Sequence, residues 1–156
     1  MKKSKQFTII ELLVVLAIIS LIIGMLLTGI SIARESARET RAKAEMQQIK
    51  MAVTQYLSTF KSFPTTDTAL ESSDNKWDTM WTYLNGTENT RKHSFIKGEI
   101  KRTPWGEEYA IIMDVNYLNS VNPNDSGFSD APNEDVADKV ALWCKDKDGD
   151  ILNTWE

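Results

Sequence analysis

The chain has 156 residues, a formal net charge of −4 and a single cysteine, Cys144. The acidic balance argues against nucleic acid or an anionic lipid surface as ligand, and a lone cysteine excludes an internal disulfide, so the fold must stand on its core. The length allows one soluble domain beside a leader and a membrane span.

Lys2, Lys3, Ser4 and Lys5 form a short basic leader, followed by Gln6-Phe7-Thr8-Ile9-Ile10-Glu11. From Leu12 to Ala33 there are 22 consecutive residues without a charge, nearly all aliphatic. At about 1.5 Å of rise per residue that run reaches roughly 33 Å, enough for a bilayer core of about 30 Å. The run exceeds an ordinary secretory h-region and no small-residue cleavage site follows it, so it is expected to stay in the chain. Lysines precede it, which places Met1–Lys5 in the cytoplasm and everything after Ala33 outside. The exported part then carries 15 basic and 21 acidic residues, a net −6. Glu11 stands at the start of this run, and an ionised group in hydrocarbon costs at least about 2.5–3.5 kcal/mol. That cost makes it either a functional residue or a marker of the span's edge at headgroup level.

The helix is expected to continue past the span. From Ile30 to Phe63 there is no Gly or Pro, and Ala42, Met46, Ile49, Val53, Tyr56/Leu57 and Phe60 recur on one face of a 3.6-residue period. Phe63-Pro64 should end it, giving one helix of about 50 residues. A largely polar connection follows from Leu70 to Lys97. Within it Trp77, Met80, Trp81 and Leu84 fall at i, i+3, i+4 and i+7 and predict a short helix stopped by Gly86. Pro104-Trp105-Gly106 is a turn feeding the β-prone run Tyr109–Met113. Asn116–Glu134 reads as loop, Val136–Trp143 as a second strand, Lys145–Asp150 as an acidic turn and Ile151–Glu156 as a short tail. Cys144, directly after Val140-Ala141-Leu142-Trp143, reads as a small buried hydrophobe.

Several of these motifs share one pattern. The basic leader, Phe-Thr-Ile-Ile-Glu and the apolar run resemble the class III signal of type IV pilins and type II secretion pseudopilins. The family has Gly where this chain has Gln6. The stretch Phe63-Pro64-Thr65-Thr66 and the stretch Pro104-Trp105-Gly106-Glu107-Glu108-Tyr109 resemble segments of the major pseudopilins. So does the ending Asp148-Gly149-Asp150-Ile151-Leu152-Asn153-Thr154-Trp155. The resemblance implies an α+β, type IV pilin-like fold: a long N-terminal helix, membrane-spanning in its first half, packed on a small antiparallel sheet. It implies a leader at 1–6, a transmembrane and assembly segment at 7–33 and a periplasmic head at 34–156. A prepilin peptidase would cut between Gln6 and Phe7 and methylate the Phe7 amine, and Glu11 would pair with a neighbouring subunit's amino terminus. The implied function is a structural subunit, not an enzyme, of a type II secretion pseudopilus at the inner membrane. Its implied partners are further copies of itself, minor pseudopilins and the inner-membrane assembly platform. A type IV or competence pilin is an alternative, as is an uncleaved single-pass membrane protein with a periplasmic binding domain.

Asp146, Asp148 and Asp150 on a Gly-bearing loop suit Ca²⁺, which takes about six to eight oxygens in flexible geometry. The resemblance also implies calcium there, although the spacer of the family's loop is missing. A solvated acidic hairpin turn is the competing reading. For catalysis the residues give little footing. His93, the one histidine, lies beside Arg91 and Lys92 in a polar connection, and neither a Gly-x-Ser-x-Gly nor a phosphate loop occurs.

Overall fold

The structure, a computed structural model, describes residues 8–155, with Leu27 and Thr28 described by backbone alone. Unbroken aliphatic and then amphipathic sequence gives a first helix, α1, over Ile9–Phe60. It stops three residues short of the expected Phe63. Lys61, in the left-handed region at φ 58°, ends it before Pro64 can act. The chain forms two compact units, parting between Ala37 and Arg38.

In the first unit α1 shows no buried stripe. Ile9, Leu13, Leu21 and Ile32 are all exposed, as is every other aliphatic side chain described there. Ser20, a hydroxyl in this apolar stretch, donates back to the Leu16 carbonyl at 2.8 Å, so that hydroxyl need not seek water. By length and composition α1 is long and apolar enough to cross a membrane.

The second unit is an antiparallel four-stranded sheet with helices on one face. β1 (Ala69–Glu71), β2 (Tyr109–Met113), β3 (Val140–Lys145) and β4 (Ile151–Asn153) lie in sequence order, each hydrogen-bonded to the next. Tyr109 faces Cys144 and Met113 faces Val140 across β2 and β3. Alternation then sends Tyr109, Ile111, Met113, Val140, Leu142 and Cys144 to one face, where Ala42, Met46, Ile49, Val53 and Tyr56 of α1 bury against them. The short helix α2 (Asn75–Leu84) adds Trp77, Met80, Trp81 and Leu84 to the same core, the four residues its spacing predicts. Its indoles also hold the following segment. Trp77 Nε1 donates to the Ile100 carbonyl at 3.2 Å and Trp81 Nε1 to Gly98 at 2.8 Å.

The opposite face of the sheet is covered too. Ala110, Ile112, Ala141 and Trp143 lie under Val121, Phe128, Ala131 and Val136 of the 114–139 connection. That connection is pinched by a bridge between Val121 and Val136 and carries a 3₁₀ turn at Pro123–Ser126. Here the structure differs from the sequence reading. Residues 136–139 are loop, and β3 starts at Val140 because Val136 is taken by the bridge. β1 and β4, three residues each, lie where only a polar connection and a tail were expected.

Candidate assembly site

Glu11, the predicted assembly residue, is described together with Thr8; Gln6 and Phe7, the predicted cleavage and methylation positions, lie outside the described residues. A helix start leaves four backbone N–H groups without intrahelical partners. Here Thr8 and Glu11 form a reciprocal cap. The Glu11 N–H donates to Thr8 Oγ1 at 3.3 Å, and the Thr8 N–H and hydroxyl both donate to Glu11 Oε2 at 3.0 Å. This is the Thr-x-x-Glu capping box, and a carboxylate at the positive end of a helix dipole is further favoured. The box uses one carboxylate oxygen. Glu11 Oε1 has no partner among the described residues. Glu11 is also the one charged residue from Thr8 to Ala33. The contribution of Thr8 was missed in the sequence reading, although the three-residue spacing to a Glu before an apolar run is its signature.

The acidic turn between β3 and β4 holds the three predicted calcium ligands. Asp146 Oδ1 accepts from the N–H groups of Asp148 and Asp150, at 2.8 Å each. Gly149, at φ +88°, supplies the left-handed turn residue. Asp148 pairs with the neighbouring Lys147. Among the described residues no group of three or more His, Cys, Asp or Glu side chains could hold a metal ion. Asp146, Asp148 and Asp150 stand in a hydrogen-bonded hairpin turn, where their carboxylates do not converge as the ligands of a Ca²⁺ cradle do.

A shallow pocket of ≈ 190 Å³ opens beside β1 and β2, with Trp143 and Phe128 below and Glu71, Arg102, Glu108 and Lys145 around it. Four of its charged residues form two ion pairs: Arg102 with Glu108 at 3.0 Å and Lys145 with Asp130 at 2.7 Å. Burial, followed by the like charges of Glu108, Asp74 and Asp130, raises the Glu71 carboxyl above its usual range. Cys144 also lines the pocket, but burial above all pushes its thiol up to about 12, which leaves it a poor nucleophile at neutral pH. The Tyr109 hydroxyl donates to Glu45 Oε2 at 2.5 Å, and Arg41 Nε to Glu45 Oε1 at 2.8 Å. Burial first, then the Glu45 carboxylate, raises the Tyr109 phenol well above its ordinary value and keeps it a donor. His93 lies exposed, its ring edge-on to Phe95 at 4.7 Å, away from both groups.

Residues 31–142 match a family described as "Protein of unknown function (DUF1559)", and residues 1–27 match the "Prokaryotic N-terminal methylation motif". Type II secretion system core protein G of Vibrio cholerae is 26% identical to this chain over 112 residues, covering 72% of this chain and 73% of that protein. The protein of the same name from Escherichia coli K12 is 26% identical over 110 residues, covering 70% and 72%. No solved structure matches the chain.

Proposed function

Since the chain belongs to the family described as protein of unknown function (DUF1559) and carries the prokaryotic N-terminal methylation motif, we propose that it is a structural subunit of a type II secretion pseudopilus. Subunits polymerise through the apolar part of α1 and carry no enzymatic activity. The similarity to two type II secretion system core G proteins supports that assignment. The observation that carries the mechanism is the state of Glu11. It sits in an otherwise uncharged stretch of α1, with one oxygen capping the helix N-terminus and the other open.

A lone carboxylate in lipid is costly, and an opposite charge beside it offsets that cost when both are well hydrogen-bonded. A positive chain end on a neighbouring subunit is such a partner. In this reading a prepilin peptidase cuts between Gln6 and Phe7 and methylates the Phe7 amine, which keeps its charge. The basic leader sits on the cytoplasmic side of the inner membrane and the head on the periplasmic side. Minor pseudopilins and an inner-membrane assembly platform are the partners during polymerisation. Gln6, with a long amide where the cleavage signal elsewhere has Gly, favours one second reading: an uncleaved single-pass membrane protein.

Two measurements separate them. The mass of the mature amino terminus is expected to match a chain starting at methylated Phe7; an intact Met1 supports the uncleaved protein instead. Electron microscopy of cells carrying Glu11→Ala is expected to show no filaments while the protein still fractionates with the membrane. Normal filaments in that variant overturn the assembly role of Glu11.

A further inference from the structure

The second unit presents two apolar features that its own core does not use. The first is a turn. Asp114, 4% exposed, accepts from the N–H groups of Leu118 at 2.8 Å and Asn119 at 2.6 Å. Tyr117 and Asn119 are held in the left-handed region at φ 59° and 63°. For a bulky residue such as Tyr117 that backbone is strained, and strain of this kind persists only where the surroundings fix it. The Tyr117 hydroxyl bonds the Lys61 carbonyl at 3.3 Å and its ring rests 6.1 Å from Phe63, so the turn is anchored at the end of α1. Leu118, at its tip, is 72% exposed.

The second feature lies on α1 itself. Between Glu45 and Lys61 the helix carries one charged residue, Lys50, and that ammonium is bonded to Asp138 at 2.8 Å. On this neutral face Met51 is 54% exposed. Grooves flank it on both sides, of ≈ 300 Å³ beside Gln48, Gln55 and Phe95, and of ≈ 310 Å³ beside Lys50, Thr54 and Asp138.

We propose that the Tyr117–Leu118 turn of one copy docks on the Met51 face of α1 in a neighbouring copy. The inference deepens the assembly reading above and rests on it. Area decides the occupant. One methionine and a two-residue tip fall well short of the roughly 1,200–2,000 Å² that a stable pair of proteins buries. The contact therefore works only for a partner already held by another interface, where tethering supplies a high effective concentration. A second copy, held through its apolar helix, is that partner. The surfaces suit each other: a flexible thioether meets an aromatic ring and a rigid leucine, and the Lys50 and Asp138 charges beside the groove are already paired with each other.

Because the tip and the groove are different patches, the contact is head-to-tail and propagates as an open helical array. Its geometry also fixes a stagger. The tip sits level with Lys61, ten residues beyond Met51, so neighbours are displaced by about 15 Å along α1.

The test uses the full chain in filament-forming cells, with Met51→Cys and Leu118→Cys singly and together and a short bis-maleimide reagent. Cys144, 2% exposed, supplies little background. The double variant is expected to give a ladder of covalent oligomers that both single variants lack, and that Glu11→Ala removes. Dimers from Met51→Cys alone show helix faces meeting each other and overturn the proposal. Filaments seen by microscopy without a ladder overturn the contact and leave assembly standing. A wild-type chain that forms no filaments overturns the assembly reading, and the contact falls with it.

Discussion

Residues 9–32 and 42–56 of α1 share one backbone conformation and face different demands. In the first stretch Ile9, Leu13, Leu16, Ile18 and Ile22 point around the whole circumference and all are exposed. In the second, Ala42, Met46, Ile49, Val53 and Tyr56 line up on one side and all are buried, with Arg41, Lys43 and Gln47 on the other. The difference lies in what completes each surface. A stripe needs one partner, which the same chain provides as a sheet. An all-round apolar cylinder needs a surrounding medium, either hydrocarbon or other copies of itself. The head is thus a self-sufficient fold, and the apolar helix is an incomplete one whose completion is the function.

One substitution made twice breaks or sharpens that contrast most strongly. Ile49→Ala removes a fully buried side chain from the core and is expected to destabilise the head by about 2–5 kcal/mol. Ile18→Ala, in a side chain 52% exposed, is expected to leave head stability unchanged. Thermal unfolding of the detergent-solubilised full chain measures both; equal losses contradict the separation. Next in size is Ile18→Lys, which places a charge mid-span at about 2.5–3.5 kcal/mol. Membrane fractionation is expected to show the variant depleted, with the head's melting unchanged.

How far the sequence revealed this follows the same division. The apolar run, the α1 stripe and the α2 residues were legible because period and partner coincide: one face, one core. β2 read as a strand only through its apolar content. It is buried on both faces, so no in–out alternation shows. β1 and β4 stayed hidden because three residues carry no period; β1 exists only by pairing with Ile111 from distant sequence, and β4 only by folding back on Cys144 across the acidic turn. At the candidate assembly site Glu11 stood out by its charge in an apolar run and by the Phe-Thr-Ile-Ile-Glu pattern around it. Its capping partner Thr8 did not, because a hydroxyl matters only once the helix start is placed. The acidic turn could be read as a Ca²⁺ loop or as a solvated hairpin for a related reason. Composition counts carboxylates, whereas a cation needs them to converge, and Asp146 faces backbone N–H groups instead.

A smaller effect concerns how the tail and the 114–139 connection are tied to α1. Lys50 reaches Asp138 at 2.8 Å and the Thr154 carbonyl at 3.3 Å, and its side chain is only 16% exposed. Burial opposes ionisation of Asp138, but the Lys50 ammonium and the Lys139 and Val140 N–H groups outweigh it and hold that carboxyl below its usual value. A depressed carboxyl contributes stability that is fully present above the unfolded value, near 3.9, and lost as pH falls through the folded one. Lys50→Met is expected to cost about 1.5–3 kcal/mol at neutral pH. The gap between variant and wild type should close below about pH 4. A gap that persists unchanged at acid pH assigns the loss to packing of the lysine stem.

The smallest expected effect tests whether the β3–β4 turn is complete in itself. Two backbone donors on Asp146 Oδ1 make that carboxylate the turn's keystone, in an exposed place where a hydrogen bond contributes about 1 kcal/mol. Asp146→Ala should lower head stability by about that amount, and Asp146→Asn, which keeps the acceptor oxygen, should lose much less. A ligand that binds only the folded state raises the melting temperature, with a stabilisation that grows as the logarithm of its excess over Kd. Ca²⁺ added to the wild type is therefore expected to produce no rise, because the turn's carboxylates do not converge on one point and Asp146 keeps only Oδ2 outside its hydrogen bonds. A Ca²⁺-dependent rise that Asp150→Asn abolishes would instead show the turn rebuilding around a cation. The head would then, like the apolar helix, be completed from outside, and the contrast drawn between the two parts of the molecule would fail at its C-terminal end.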